Sequence, residues 1–139
     1  MSTGSAGAYP WVLTDVSLVV KKHDLDPDVI TERLGLHPSE AWAPGVDRWN
    51  PGGDTDGVWL LQHDEHVARD FSVQLDATLR AAEGCAPVLD ALKAEGYKVM
   101  LAVYGFTDHD GQLSFSADDM ARIARLKIPL RLVPNLNAR

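Results

Sequence analysis

The chain has a single cysteine, Cys85, in 139 residues. That excludes an internal disulfide and any zinc site built on cysteines. It is also short of positive charge, with 13 Lys and Arg against 20 Asp and Glu, for a net charge of −7. The only basic doublet is Lys21-Lys22. A duplex-binding protein needs clustered Lys and Arg to neutralise phosphates, so neither a nucleic acid nor an anionic membrane surface is expected as a partner. No apolar run approaches the ~20 residues that a membrane-spanning helix requires. Residues 1–8 lack the basic start and apolar centre of a signal peptide and read as a loose tail. A reducing cytoplasm is the expected compartment.

What remains is ordinary globular material, 45% apolar and 24% charged. The length fits one domain, expected over residues 9–139. Tyr9 to Lys22 is rich in β-branched residues and reads as a central strand. Asp26-Pro27-Asp28 then supplies an N-cap, a first-position proline and an acid at the positive end of the helix dipole. Val29, Ile30 and Leu34 give that helix its apolar stripe, and Gly35 its stop. Residues 37–57 hold three Pro, four Gly and two Trp, which reads as a long irregular loop. Gly57 to Gln62 follows as a strand.

Val67, Phe71, Leu75 and Leu79 recur every four residues, so a helix is expected over 66–82. Pro87 opens another, stopped by Gly96. Tyr97 to Phe106 is a strong strand, and Gln112 to Phe115 a short one that could form a free sheet edge. Ser116 with Asp119 resembles a capping box ahead of a fourth helix. Ile128 to Val133 is the last strand, limited by Pro134. Strand, capped helix and strand thus occur at 11–62 and again at 97–133. The expectation is an α+β fold: a mixed sheet with helices on one face, two β-α-β halves, ferredoxin-like in outline.

With the segments placed, the sequence resembles a bacterial family known only as domain of unknown function 4279. The resemblance lies in Ser17-Leu18-Val19-Val20, in residues 26–42 (DPDVITERLGLHPSEAW) with Gly45 after them, and in Trp59-Leu60-Leu61. It continues in Leu113-Ser114, residues 116–126 (SADDMARIARL) and the final apolar strand. These motifs mark architecture, and the resemblance implies no catalytic residue or cofactor.

The residues themselves offer few chemical constellations. His63, Asp64, Glu65 and His66 place four metal-ligating side chains in a row. Two histidines three apart share a face only if one helix runs through both. His63 is expected to end a strand and point elsewhere, leaving an acidic helix start. His23, His37 and His109 fall at transitions into loops. Asp24, Asp26 and Asp28 alternate as if toward a cation, yet capping already employs two of them. Asp54–Gly57 and Asp108–Gly111 echo the start of a calcium loop without its later ligands, and read as Asp-Gly turns. Cys85, with no histidine nearby, reads as a small buried thiol.

The long loop remains. Trp42 and Trp49 flank Arg48, and their rings either fold back to cap the sheet or line a cleft with Arg48 at its rim. The leading expectation is therefore a non-catalytic binding or protein-interaction module, with no cofactor, that uses Trp42, Arg48 and Trp49. Its acidic surface suits a basic protein partner, in the manner of an immunity protein masking a toxin. The alternative is a small metal-dependent hydrolase built on His63, Asp64 and His66. A homodimer through a strand edge is a third possibility.

Overall fold

A computed structural model describes residues 9–45, 56–107 and 111–136. The elements run in order β1 (Tyr9–Pro10), β2 (Val12–Lys22), α1 (Pro27–Leu34), β3 (Glu40–Trp42) and β4 (Gly57–His63). They continue with α2 (Phe71–Gly84), α3 (Ala86–Ala94), β5 (Lys98–Thr107), β6 (Gly111–Gln112), α4 (Ala117–Leu126) and β7 (Leu130–Leu136). Five strands form a mixed sheet in the order β3-β4-β2-β5-β7, which makes the chain an α+β protein.

The alternation along β2 decides which face is buried. Val16, Leu18 and Val20 join Trp59, Val99, Leu101 and Val103 in the main core, together with Ile30, Leu75, Leu79, Leu89, Leu92, Ile123 and Leu126 from the four helices. All four helices therefore cover one face. On the other face Val19, Val58, Met100 and Ala102 cluster with Leu60, and no helix residue joins them. Burying the large side chains against helices supplies most of the stabilisation, at about 25 cal/mol per Å² of apolar surface.

The strand directions differ from a simple repeat of two β-α-β halves. β4 lies beside β2 and antiparallel to it, and β3 pairs antiparallel with β4. So β2–α1–β3 is a parallel crossover with β4 slotted between. In the same way β4 and β5 run parallel with β2 between them, joined by α2 and α3. The internal symmetry thus relates two interleaved crossovers. The unit β5–α4–β7, whose strands are parallel neighbours, is appended to them. Hydrophobic patterning reports which residues face inward but carries no strand direction, which is why the repeat in element order was misleading.

The helix ends follow their local signals. Asp26 caps α1, its carboxylate accepting from Asp28 N–H at 3.0 Å, and Gly35 ends it at φ 70°. Ser116 caps α4 by accepting from Asp119 N–H at 3.0 Å. The second helix begins at Phe71, five residues later than its apolar spacing predicts, because Asp70 is the cap and accepts from Ser72 N–H at 2.9 Å. Ion pairs then tie helix to helix. Arg33 forms a two-pronged bond with Glu95 at 2.8 and 2.7 Å. Arg122 does so with Glu83 at 2.9 and 2.8 Å, and also reaches Asp76.

Two edges bound the sheet. The short strand expected over Gln112–Phe115 is Gly111–Gln112, which lies outside the main sheet and pairs with Tyr9–Pro10 in a separate two-stranded ladder. The far edge is β7. Leu101 N–H donates to Pro129 C=O at 2.9 Å, with Leu101 opposite Leu130. Odd-numbered residues of β7 therefore turn their backbone groups to β5, and even-numbered ones turn outward. Pro134, which has no N–H, sits at an outward position where it breaks no ladder bond and blunts the edge against further pairing.

Candidate functional site

The 37–57 segment is not wholly irregular. Glu40–Trp42 forms the outer strand β3, with Ala41 opposite Trp59 and Trp42 opposite Val58. Ser39 secures its start by accepting from Gln62 N–H at 2.8 Å. This pairing puts Trp42 on the uncovered face, 49% exposed, so its ring does not cap the helical core. Arg48 and Trp49 lie outside the described residues. So do His109, Asp54 and Thr55 of the first Asp-Gly segment, and all but Gly111 of the second.

The uncovered face has a definite chemistry. Trp42 shares a row with Val58, Lys21 and Lys98, and Glu40 shares the next with Leu60, Val19 and Met100. Beyond them come Gln62, Ser17 and Ala102, then Asp15 opposite Tyr104. Asp15, Ser17, Glu40, Leu60, Gln62 and Tyr104 enclose a depression of about 270 Å³. Asp15 was not singled out from the sequence, and neither were Gln62 or Tyr104. The available signal was a carboxylate inside an otherwise apolar strand.

A bulge aims Asp15. Val12 pairs with Phe106 and Asp15 with Tyr104, so β2 carries an extra residue between them. Leu13 absorbs it at φ 52°, a left-handed conformation that is costly for a residue with a branched side chain. Opposite, Gly105 has to be glycine, since a Cβ there would come within 2.9 Å of Trp11 Cε3. After the bulge Thr14 points to the helices and Asp15 to the open face. Among the described residues Asp15 Oδ1 is the one buried side-chain nitrogen or oxygen atom without a hydrogen-bond partner. Burial pushes the Asp15 carboxyl above its ordinary range; the Gln62 side chain opposes the shift and the Asp64 charge adds to it.

Beneath the sheet a buried polar set holds this end in place. Thr14 Oγ1 donates to Gln74 Oε1 at 2.8 Å, and Gln74 Nε2 donates to Ala68 C=O at 2.7 Å. Thr78 Oγ1 lies 3.1 Å from Gln74 C=O and 2.8 Å from His63 Nδ1. If the hydroxyl donates to the carbonyl, it accepts from an Nδ1-protonated His63. Burial holds the His63 imidazole below its ordinary range, against the pull of Asp64.

The four-residue run therefore splits as its strand-end position implied. His63 turns under the helices, while Asp64 stabilises a turn by accepting from His66 N–H at 2.9 Å. Asp64, Glu65 and His66 line a second depression, of about 440 Å³, beside Leu13 and Arg69. Among the described residues no three His, Cys, Asp or Glu side chains converge to hold a metal ion. His23 and His37 are exposed. Cys85 is buried, its thiol donating to Ala81 C=O at 3.3 Å and pushed up by desolvation. No helix among the described residues is long and apolar enough to cross a membrane.

The sequence pattern of the family described as Domain of unknown function (DUF4279) matches residues 12–137, from β2 through the last strand. The chain belongs to this family. Neither a curated protein nor a solved structure matches it. The DUF4279 match takes in all five strands of the main sheet and all four helices, and hence both the uncovered face and the bulge at Leu13.

Proposed function

We propose that the chain is a non-catalytic binding module that recognises a protein partner on the uncovered face of its sheet, with Trp42 as the aromatic anchor. One observation carries this reading. The four helices occupy one face, while the other presents a half-exposed tryptophan, with Tyr104 and Phe106 also exposed on it. Exposed aromatics on a sheet face that no helix covers are typical of interaction surfaces, and here they are spread from Trp42 at one end to Tyr104 and Phe106 at the other. Arg48 and Trp49 belong to the proposal only by their closeness to Trp42 in sequence.

Two finer readings accompany it. The interleaved crossovers support a ferredoxin-like arrangement of the core. The lone buried thiol suits a reducing cytoplasm.

The test is quantitative affinity capture by the full chain and by Trp42→Ala. Partners enriched by the wild type should be lost from the variant while its melting temperature stays put. An identical set on both proteins refutes the reading. The hydrolase alternative draws on the depression that Asp64, Glu65 and His66 share with Asp15. Its mark would be near-stoichiometric metal in purified protein, and His63, committed to Thr78, weighs against it.

A further inference from the structure

The two edges of the main sheet are not alike. β3 is three residues long, whereas β7 runs for seven, and no described strand pairs beyond it. The backbone N–H and C=O groups of Leu130 and Leu132 turn outward from the ladder with β5. Their side chains stand opposite Leu101 and Val103, on the side of the sheet that the helices cover. Yet Leu130 is 36% exposed and Leu132 46%, so the helices stop short of this edge.

The helix beside the edge adds to it. Arg122 reaches Glu83 and Asp76, so its side of α4 faces α2, while Ile123 and Leu126 enter the core. At about 100° per residue, Met120 and Ala124 stand about 200° around the helix from Arg122, on the flank turned away from α2. Because α2 packs on β2 and β4 while α4 links β5 to β7, that flank looks over the β7 edge. Met120 is 59% exposed there and Ala124 is exposed too. Leu130, Leu132 and Met120 thus form an apolar ledge beside an open ladder, two separate features that each invite a strand-bearing partner.

We propose that β7 pairs with β7 of a second copy of this chain, antiparallel about a two-fold axis at Leu132, so that the sheets join edge to edge with both α4 helices over the seam. The edge is complementary to itself in this register. Leu132 exchanges both backbone bonds with Leu132 of the second copy, and Leu130 N–H donates to its Pro134 C=O. Pro134 lacks the donor and keeps the acceptor, so it blunts the edge only from its own position onward. Arg131 falls opposite Val133 of the second copy and about 10 Å, two strand spacings, from its half-exposed Tyr104 ring, on which a guanidinium can lie. An axis at Arg131 would instead set two like charges face to face. A stable interface takes about 800 Å² from each partner, more than a strand edge offers, and the α4 flank enlarges it. The contact uses one patch twice, so it closes as a dimer. It is separate from the surface around Trp42, which lies at the opposite edge of the sheet.

Sedimentation velocity of the full chain should show a monomer–dimer equilibrium with a dissociation constant of about 1–100 µM. Leu132→Lys and Met120→Lys change exposed side chains, so each should weaken association at least about tenfold while the protein stays folded. Leu132→Cys should give a covalent dimer under mild oxidant, because its Cα faces its twin across the ladder at about 5.5 Å. Val73→Cys, comparably exposed on α2, should not, and the native Cys85 is buried. Trp42→Ala should dimerise like wild type, so dimerisation and partner capture are read separately. A chain still monomeric at about 500 µM, well above that range, overturns the proposal and leaves the ledge to a different protein's strand. So does a Leu132→Lys that associates like wild type, or cross-linking through Val73→Cys as ready as through Leu132→Cys.

Discussion

Replacing Gln74 by leucine probes the polar set that holds the bulged end of β2 against α2. Gln74 is fully buried, with its carbonyl taken by the Thr14 hydroxyl and its amide given to Ala68 C=O. Leucine fills a similar volume but leaves both groups without a partner. The Thr14 hydroxyl is buried, so its loss should cost about 1–3 kcal/mol, whereas the Ala68 carbonyl is partly open to water and costs nearer 1. The more apolar side chain returns about 1 kcal/mol. The net expectation is a loss of about 1–3 kcal/mol, or roughly 3–10 °C in melting temperature for a chain of this size. Thr14→Val on its own removes one partner, and the double variant Thr14→Val/Gln74→Leu removes both. Because two apolar groups facing each other leave nothing unsatisfied between them, the double variant should recover about 1 kcal/mol relative to the sum of the singles. Thermal melts of the four proteins close the cycle, and hydrogen exchange should quicken over residues 64–70 in Gln74→Leu, where Ala68 is held. Strict additivity, or a Gln74→Leu protein as stable as wild type, would refute the idea that these bonds anchor the site.

Other expectations follow from the same region. Asp15 has its carboxyl pKa raised in the fold by burial, so the folded state holds its proton to higher pH than the unfolded chain. Its contribution is therefore present in acid and lost as pH rises through the raised value. Asp15→Asn should be more stable than wild type near pH 7, by about 1 kcal/mol, and should lose that advantage in acid; a difference independent of pH would count against it. His63 has the opposite sign. Its folded pKa is lowered, so stability is level above the ordinary histidine value and falls as pH drops below it. His63→Asn should flatten that acid-side decline in melts between about pH 5 and 8. Leu13 is strained at φ 52° and 58% exposed, so Leu13→Gly relieves about 1–2 kcal/mol of left-handed cost against about 0.5–1 of added chain entropy. A gain of up to about 1 kcal/mol by denaturant unfolding is expected, and a loss larger than that would mean the Leu13 side chain packs usefully.

Much of the layout was legible before any coordinates. Asp26, Pro27 and Gly35 delimited α1 because capping is decided by groups within one turn of chain. Ser116 did the same for α4. Val16, Leu18 and Val20 announced an inward face by their alternation, and His63 could be separated from Asp64 and His66 because a strand end and a turn point neighbouring side chains apart. The misplaced helix start shows the boundary of that logic. Val67 matches the spacing of Phe71, Leu75 and Leu79, but Asp64 accepts from His66 N–H and Asp70 from Ser72 N–H, and a turn stands where periodicity allows a helix. The candidate site was legible only in part. Trp42 could be named, yet the strand that turns its ring outward was hidden in a segment of prolines and glycines.

Local signals in the sequence, then, were sufficient for the existence of the four helices and of β2, β4, β5 and β7, for the caps of α1 and α4 and for the apolar stripe of each helix, since all depend on residues within a few positions of one another. Strand direction, the interleaving of the two crossovers and the uncovered face depend on pairings between segments far apart in the chain. The meeting of Asp15 with Gln62 and Tyr104 is of that second kind. It exists because β2 runs between two antiparallel neighbours and bulges at Leu13, and no local pattern of residues encodes which strand will lie beside which.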